Sequence, residues 1–339
     1  MQQETWQQLL SLESRDIVAT WFKKIHCRDL NARRVKEINA SAKQAREFFR
    51  NAHAANNTVK PLLTYYGVAS LSRALTLLFR RKGGEEGLTR GHGLETIDWS
   101  NNLSGELSVG LEALRKLKVR TCAGLFADLV SATKNRMSMH IQSSAVGWRI
   151  SYDQPKLGDE VIFEQLIQRM PDLTKDHVVL NTRPMYANIN QITYSETAGV
   201  MIKISSYNVQ NFKKYYEDVG YKLQEDGKLT IMTGTSQLFR SQTPQFMHAY
   251  IETMLGIPGL FLIAPFPSGN TYSQICISYI VSYILGMLAR YYPTHWVSLA
   301  QGGCGDALWP TLNRAHRCIE ETFPELVAEM IDDVLAHPI

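Results

Sequence analysis

The chain has 339 residues, 45% of them hydrophobic and 20% charged, with a net charge of +4. That is enough to bury a sizeable core in one large or two ordinary domains, and it excludes a disordered or collagen-like chain. The cysteines Cys27, Cys122, Cys276, Cys304 and Cys318 are dispersed and form no CxxC pair, which argues against a disulfide frame or a zinc site; neither a metal nor a cofactor is expected.

Residues 1 to 27 read as one or two helices, with Ser14 as an N-cap before Ile17, Val18, Trp21, Phe22 and Ile25. Residues 31 to 55 form a clearer helix, because Val35, Ile38, Ala42, Ala45, Phe49 and Ala52 recur in steps of three and four. After the polar break Asn56-Asn57-Thr58, a third helix runs from Val59 to Arg81. Pro61 fits its first turn, and Gly83-Gly84 is expected to terminate it. Gly67 lies inside this helix and costs about 1 kcal/mol relative to Ala, so a close helix crossing is expected there.

The middle of the chain changes period. Strands are expected at Arg136–Ile141, Gly147–Tyr152, Val178–Leu180, Tyr186–Thr193, Ala198–Ile204, Leu229–Met232 and Leu260–Ile263, with one or two more within 103 to 122. Helices are expected at Glu160–Met170 and Gln210–Val219. From Thr253 to Ala289 no Asp, Glu, Lys or Arg occurs. Its second half, Tyr272 to Arg290, has helical periodicity. A transmembrane span competes with a buried core helix, and Pro258, Pro265 and Pro267 favour the core helix, because they break any apolar run long enough to span. Helices at Trp296–Ala300, Ala307–Glu321 and Glu325–Leu335 complete the chain.

These elements predict an α+β fold in which helical N-terminal and C-terminal regions pack around a central mixed or antiparallel sheet. The regions are 1–100 (helical), 101–265 (β-rich) and 266–339 (helical), within what is expected to be one unit. Met1–Thr5 lacks the basic start and apolar run of a secretory leader, so a cytoplasmic protein without a transmembrane segment is expected. Charge is uneven. Lys23, Lys24, Arg28, Arg33, Arg34, Lys36, Lys43, Arg46 and Arg50 crowd one stretch, and Glu320, Glu321, Glu325, Glu329, Asp332 and Asp333 crowd the other end. Such ends steer an anionic partner, favour head-to-tail self-association, or are two solvated helix faces.

Few residues point to catalysis. Arg290 and His295 have the spacing of the loose Arg-x4–6-His pattern of HEPN ribonucleases, in which His295 would act as acid/base and Arg290 would stabilise the phosphorane. The structural alternative has Arg290 at a helix end and Trp296 packed below it. Gly91-His92-Gly93 reads as a phosphate-binding loop or as a tight turn with a hydrogen-bonded His; no Lys-Ser/Thr follows, so it is no P-loop. Cys304 lies before a helix starting near Asp306, but no His–Asp set accompanies it. No nucleic-acid-binding module is recognisable, so nucleic acid is not an expected partner.

Three motifs carry a resemblance. Pro61-Leu62-Leu63-x-Tyr65-Tyr66-Gly67, then His92-Gly93-Leu94, then Tyr279-x-x-Ser282-Tyr283-x-Leu285-x-Met287-x-Ala289-Arg290-Tyr291-x-x-x-x-Trp296 are similar to the YaaC-like family of bacterial proteins in order and spacing. The resemblance covers about residues 6 to 335. It implies a cytoplasmic protein without an established catalytic site. Within the family, the chain resembles the JukA-type sensors of the Juk (jumbo phage killer) antiphage system. That resemblance implies a non-enzymatic sensor that recognises an early phage infection vesicle or phage protein, self-associates, and recruits a membrane-disrupting effector of the same system. Two other expectations stand beside it: a HEPN-like ribonuclease or nucleotide-handling enzyme, and a housekeeping protein that binds a ligand between its helices and its sheet.

Overall fold

Ser14 opens the first long helix: its Oγ accepts from the Ile17 amide at 3.4 Å, starting α1, Arg15–His26. Asn31 does the same for α2, Ala32–Ala54, accepting from the Arg34 amide at 2.8 Å. These side-chain acceptors satisfy first-turn amides that lack a partner within the helix. The third helix, α3, is Lys60–Phe79, with Pro61 in its first turn. It stops one turn earlier than the Gly83-Gly84 signal implies. Arg80 is already extended, and buried Arg34 reaches across from α2 to donate to the carbonyls of Leu77 and Arg80. Those bonds close the helix end, so the glycines are not needed as its cap. The computed structural model describes residues 3–137, 150–254, 257–302 and 306–337.

Two antiparallel sheets follow. The first holds β1 (His92–Ile97), β2 (Lys118–Gly124) and β3 (Glu160–Ile162) in the order β1-β2-β3, with α4 (Leu125–Thr133) running straight on from β2. The second holds β4 (Tyr186–Ser195), β5 (Gly199–Ser205), β6 (Lys222–Asp226), β7 (Leu229–Gly234), β8 (Gln245–Met254) and β9 (Ile257–Ile263), in the order β6-β7-β5-β4-β9-β8. Three helices end the chain: α5 (Gln274–Tyr291), α6 (Pro293–Ala300) and α7 (Trp309–Ala336). The architecture is α+β, and the sheets are antiparallel throughout their pairings.

The second half of the uncharged stretch becomes α5, and every residue from Gln274 to Ala289 is buried. Ile277, Ile280, Val281, Ile284, Leu285 and Leu288 are at most 1% exposed. Each such side chain contributes about 1.5–3 kcal/mol relative to exposure. By length and composition α3 and α5 could each cross a membrane, but both are mostly enclosed by the fold. Around α5 a first core joins α1, α2, α3 and α7 to residues of the three-stranded sheet, including Leu94, Val119 and Val161. A second core forms on the six-stranded sheet from Ile202, Ile204, Met232, Phe246 and Leu262, covered by Val209, Phe212 and Tyr216.

Several expected elements change. Val178–Leu180 is not a strand. Asp176–Val179 is one helical turn, with Val178 84% and Val179 64% exposed. Asp176 fixes it from below, accepting from Thr311 at 3.2 Å and facing Arg314 at 2.9 Å. Glu160–Met170 divides into β3 and a short helix, Phe163–Ile167. Within 103 to 122 only β2 is a strand, and Leu107–Ala113 is helical. The two expected C-terminal helices are one, because α7 runs through Pro324. A proline there loses one backbone bond, and the burial of Phe323, Leu326 and Val327 on either side offsets it. Strands β1, β6 and β8 carry little periodicity and were not expected from sequence. The expected strands Arg136–Ile141 and Gly147–Tyr152 lie largely outside the described residues; of their described residues, Arg136 bridges Ser151, and Cys304 lies outside the described residues.

Candidate functional site

The three motifs sit on three different elements and meet. α3 carries Pro61, Tyr65, Tyr66 and Gly67; α5 carries Tyr279, Tyr283 and Arg290; His92, Gly93 and Leu94 open β1. Glycines let the helices come close enough. A Cβ on Gly67 would stand 2.8 Å from Cδ2 of Phe49 on α2, and one on Gly286 would stand 2.7 Å from Cβ of Tyr65. The crossing expected at Gly67 is therefore real, and its partner is α2.

At the centre, the Tyr65 hydroxyl lies 2.7 Å from Nδ1 of His92, and the Tyr279 hydroxyl donates to the His92 carbonyl at 3.0 Å. The Tyr65 ring meets Tyr283 edge-on at 5.5 Å and Tyr279 at 6.1 Å. The His92 ring lies 5.9 Å from that of Tyr283. Such aromatic pairs are worth about 0.5–1.5 kcal/mol beyond their buried area. Burial, reinforced by Tyr279, pushes the Tyr65 phenol far above its ordinary range. Burial, then the nearby Arg290 cation, pulls the His92 imidazole below its ordinary value. Both groups are thus neutral near pH 7, and one proton bridges the phenol oxygen and Nδ1. His92 is the hydrogen-bonded histidine of the turn reading, but Gly91-His92-Gly93 leads directly into a strand.

The C-terminal end of α5 is tied on the outside. Arg290 is exposed, donates to the Tyr66 hydroxyl at 2.8 Å and lies 4.9 Å over the Tyr291 ring. Trp296 is 1% exposed, and its Nε1 donates to the Asn57 carbonyl at 2.7 Å, joining α6 to the break before α3. His295 is half-buried, meets the Tyr292 ring edge-on at 6.0 Å, and its buried Nε2 has no hydrogen-bond partner among the described residues. Burial lowers its pKa. Arg290 and His295 thus have separate partners. Pro61 and Leu94 are buried, and Tyr291 is 59% exposed.

Sequence reasoning missed the buried polar anchors. Asp172 accepts from the amides of Tyr250 and Ile251 at 2.7 Å each, stitching the end of a short turn to β8. Asn135 donates to the carbonyls of Asp153 and Thr271 and accepts from the Ser273 amide at 2.9 Å, just ahead of α5. Arg169 donates to the carbonyls of Ala264 and Pro265 and stacks 4.5 Å from the centre of the Phe266 ring. No local pattern marks these residues, because their partners lie far away in sequence.

The acidic C-terminal residues are largely spent inside the chain. Glu320 meets Lys60 at 3.2 Å and His53 at 3.1 Å; Asp332 accepts from Gln8; Asp333 meets Arg136 at 2.7 Å; Glu321 meets Arg317 at 2.8 Å. Among the described residues no three His, Cys, Asp or Glu side chains gather closely enough to hold a metal ion.

No curated protein and no solved structure matches the chain. The family model described as YaaC-like Protein matches residues 9–331, a span that contains all three converging motifs. The chain belongs to the YaaC-like family.

Proposed function

We propose that this protein is a non-enzymatic, cytoplasmic sensor and assembly protein of bacterial antiphage defence. It recognises an early phage infection structure, self-associates there, and recruits a membrane-disrupting effector. The reading rests on membership of the YaaC-like family and on the resemblance to its JukA-type members. The observation that supports it best is how the motif residues use their polar groups. Tyr65 and Tyr279 engage His92, Arg290 engages Tyr66, and Trp296 engages Asn57. A catalytic constellation aims such groups at the place where a substrate will sit. Here they are aimed at one another and lock two helices and a strand into a rigid unit, which suits a protein that works by presenting surfaces. The test is a fluorescent fusion followed during infection: foci form on infection, and His295→Ala keeps both foci and protection. Loss of protection in a His295→Ala protein that still folds and clusters would sink the reading.

A HEPN-like ribonuclease is the second reading, and the Nε2 of His295, neutral and without a hydrogen-bond partner among the described residues, favours it. Purified protein incubated with total RNA decides it, with and without extract of infected cells. Cleavage lost in His295→Ala supports the enzyme, and intact RNA under both conditions removes it.

A further inference from the structure

The basic run of the sequence and the Arg80-Arg81-Lys82 segment come together at one cavity. It has a volume of about 310 Å³ and lies between the C-terminal turn of α1, the first turn of α2 and the loop after α3. Five cations line it: Arg28, Arg33, Arg34, Arg81 and Lys82. Its three carboxylates are already committed. Asp29 meets Lys23 at 2.9 Å. Glu37 meets Arg33 at 2.9 Å and accepts from the Glu85 amide at 3.0 Å. Glu86 meets Arg33 at 3.4 Å and accepts from the Gly84 amide at 2.9 Å.

The remaining cations form no ion pair with a carboxylate among the described residues. Arg34 spends its guanidinium on backbone carbonyls, which satisfy its N–H groups but do not cancel its charge. Among the described residues Arg28 makes one long bond, to the Arg81 carbonyl at 3.4 Å. The side chains of Arg81 and Lys82 are exposed and make no hydrogen bond or ion pair among the described residues. The positive potential is felt by neighbours: burial first, then Arg34, Arg81 and Arg28, lower the His26 pKa. The positive end of the α2 dipole, a helix of 23 residues, adds to it.

We propose that this cavity is a binding site for a phosphate-bearing ligand, held by Arg28, Arg81 and Lys82 at the N-terminus of α2. Guanidinium and ammonium groups left without acceptors are the donors that a phosphate's oxygens satisfy. The phosphate can belong to a soluble nucleotide or to a phospholipid headgroup. The site is separate from the motif junction and does not depend on the defence reading.

The test uses the full chain and inorganic pyrophosphate as probe, in isothermal titration calorimetry at low salt. One pyrophosphate binds per chain, and Arg81→Gln/Lys82→Gln weakens it about tenfold or more. These exposed side chains make no hydrogen bond or ion pair among the described residues, so the variant is expected to keep the wild-type melting temperature. Lys43→Gln/Lys214→Gln, the same charge loss away from the cavity, leaves the affinity unchanged. Absence of pyrophosphate binding at millimolar concentration overturns the proposal, and so does an equal loss in both variants. Flotation with phosphatidylcholine vesicles, with or without phosphatidylglycerol, then separates the sources. Flotation on the anionic vesicles that pyrophosphate abolishes identifies a lipid headgroup; pyrophosphate binding without flotation identifies a soluble ligand.

Discussion

The hydroxyl of Tyr65 and Nδ1 of His92 stand 2.7 Å apart, joining the second turn of α3 to the first residue of β1. The Tyr65 ring is fully buried while His92 remains open to solvent on its other side. The pair therefore closes the first core where a helix, a strand and α5 meet. Tyr65→Phe keeps the ring and removes the bond. It is expected to cost about 1 kcal/mol, since His92 regains water as a partner. Tyr65→Ala also empties the space between Tyr279 and Tyr283 and is expected to cost about 3–5 kcal/mol. Urea unfolding of both variants checks the ratio; equal losses would mean that the bond, not the ring, holds the junction.

Gly286 tests the helix crossing. In an isolated helix, Gly→Ala gains about 1 kcal/mol. At this position the new methyl would stand 2.7 Å from Cβ of Tyr65, part of a fully buried residue that has no room to retreat. Overpacking of this kind costs about 1–3 kcal/mol. Gly286→Ala is therefore expected to be destabilising, with a lower melting temperature by calorimetry.

Acid is expected to unfold the protein early. Burial lowers the pKa of His177 and of His316 to about 4. His316 is fixed as a neutral ring by its 2.8 Å bond to Thr64, and His177 by its 2.9 Å bond to Thr182. The unfolded chain takes up these protons near pH 6.5, before the folded chain does. Stability is thus complete above about pH 7 and falls as pH drops from about 6.5 to about 4, by about 3 kcal/mol for each histidine. Urea midpoints across that range check it, and His177→Gln flattens the decline.

Glu329 works in the opposite direction. Burial, with Glu325 next to it, raises its pKa to about 8, against an ordinary value of 4.5. The folded chain holds this proton while the unfolded chain releases it, so stability is lost as pH rises through that window. Glu329→Gln keeps a polar amide of the same shape and removes the titration. It is expected to stabilise the protein by about 4 kcal/mol at pH 8 and by nothing near pH 4. Melting curves at the two pH values check the difference.

Local signals in the sequence were sufficient for the three N-terminal helices and for α5, but not for α4 or for the unbroken course of α7. Ser14, Asn31 and Pro61 mark three helix starts because capping and proline geometry involve residues within one turn. The spacing of Ile277, Ile280, Val281, Ile284, Leu285 and Leu288 identified α5 as a core helix, since a 3.6-residue period shows within a single segment. The three motifs were legible, and so was the family. Strands were less so, because a strand is defined by its partner. His92-Gly93-Leu94 looks like a turn until β2 pairs with it, and Val178-Val179 looks like a strand although no strand among the described residues pairs with it and Asp176 anchors a helical turn. The meeting of Tyr65, His92 and Tyr279, and of Arg28, Arg81 and Lys82, was decided only by the tertiary structure. Each set joins residues from separate segments, and no pattern within one segment encodes which surfaces the buried area will bring together.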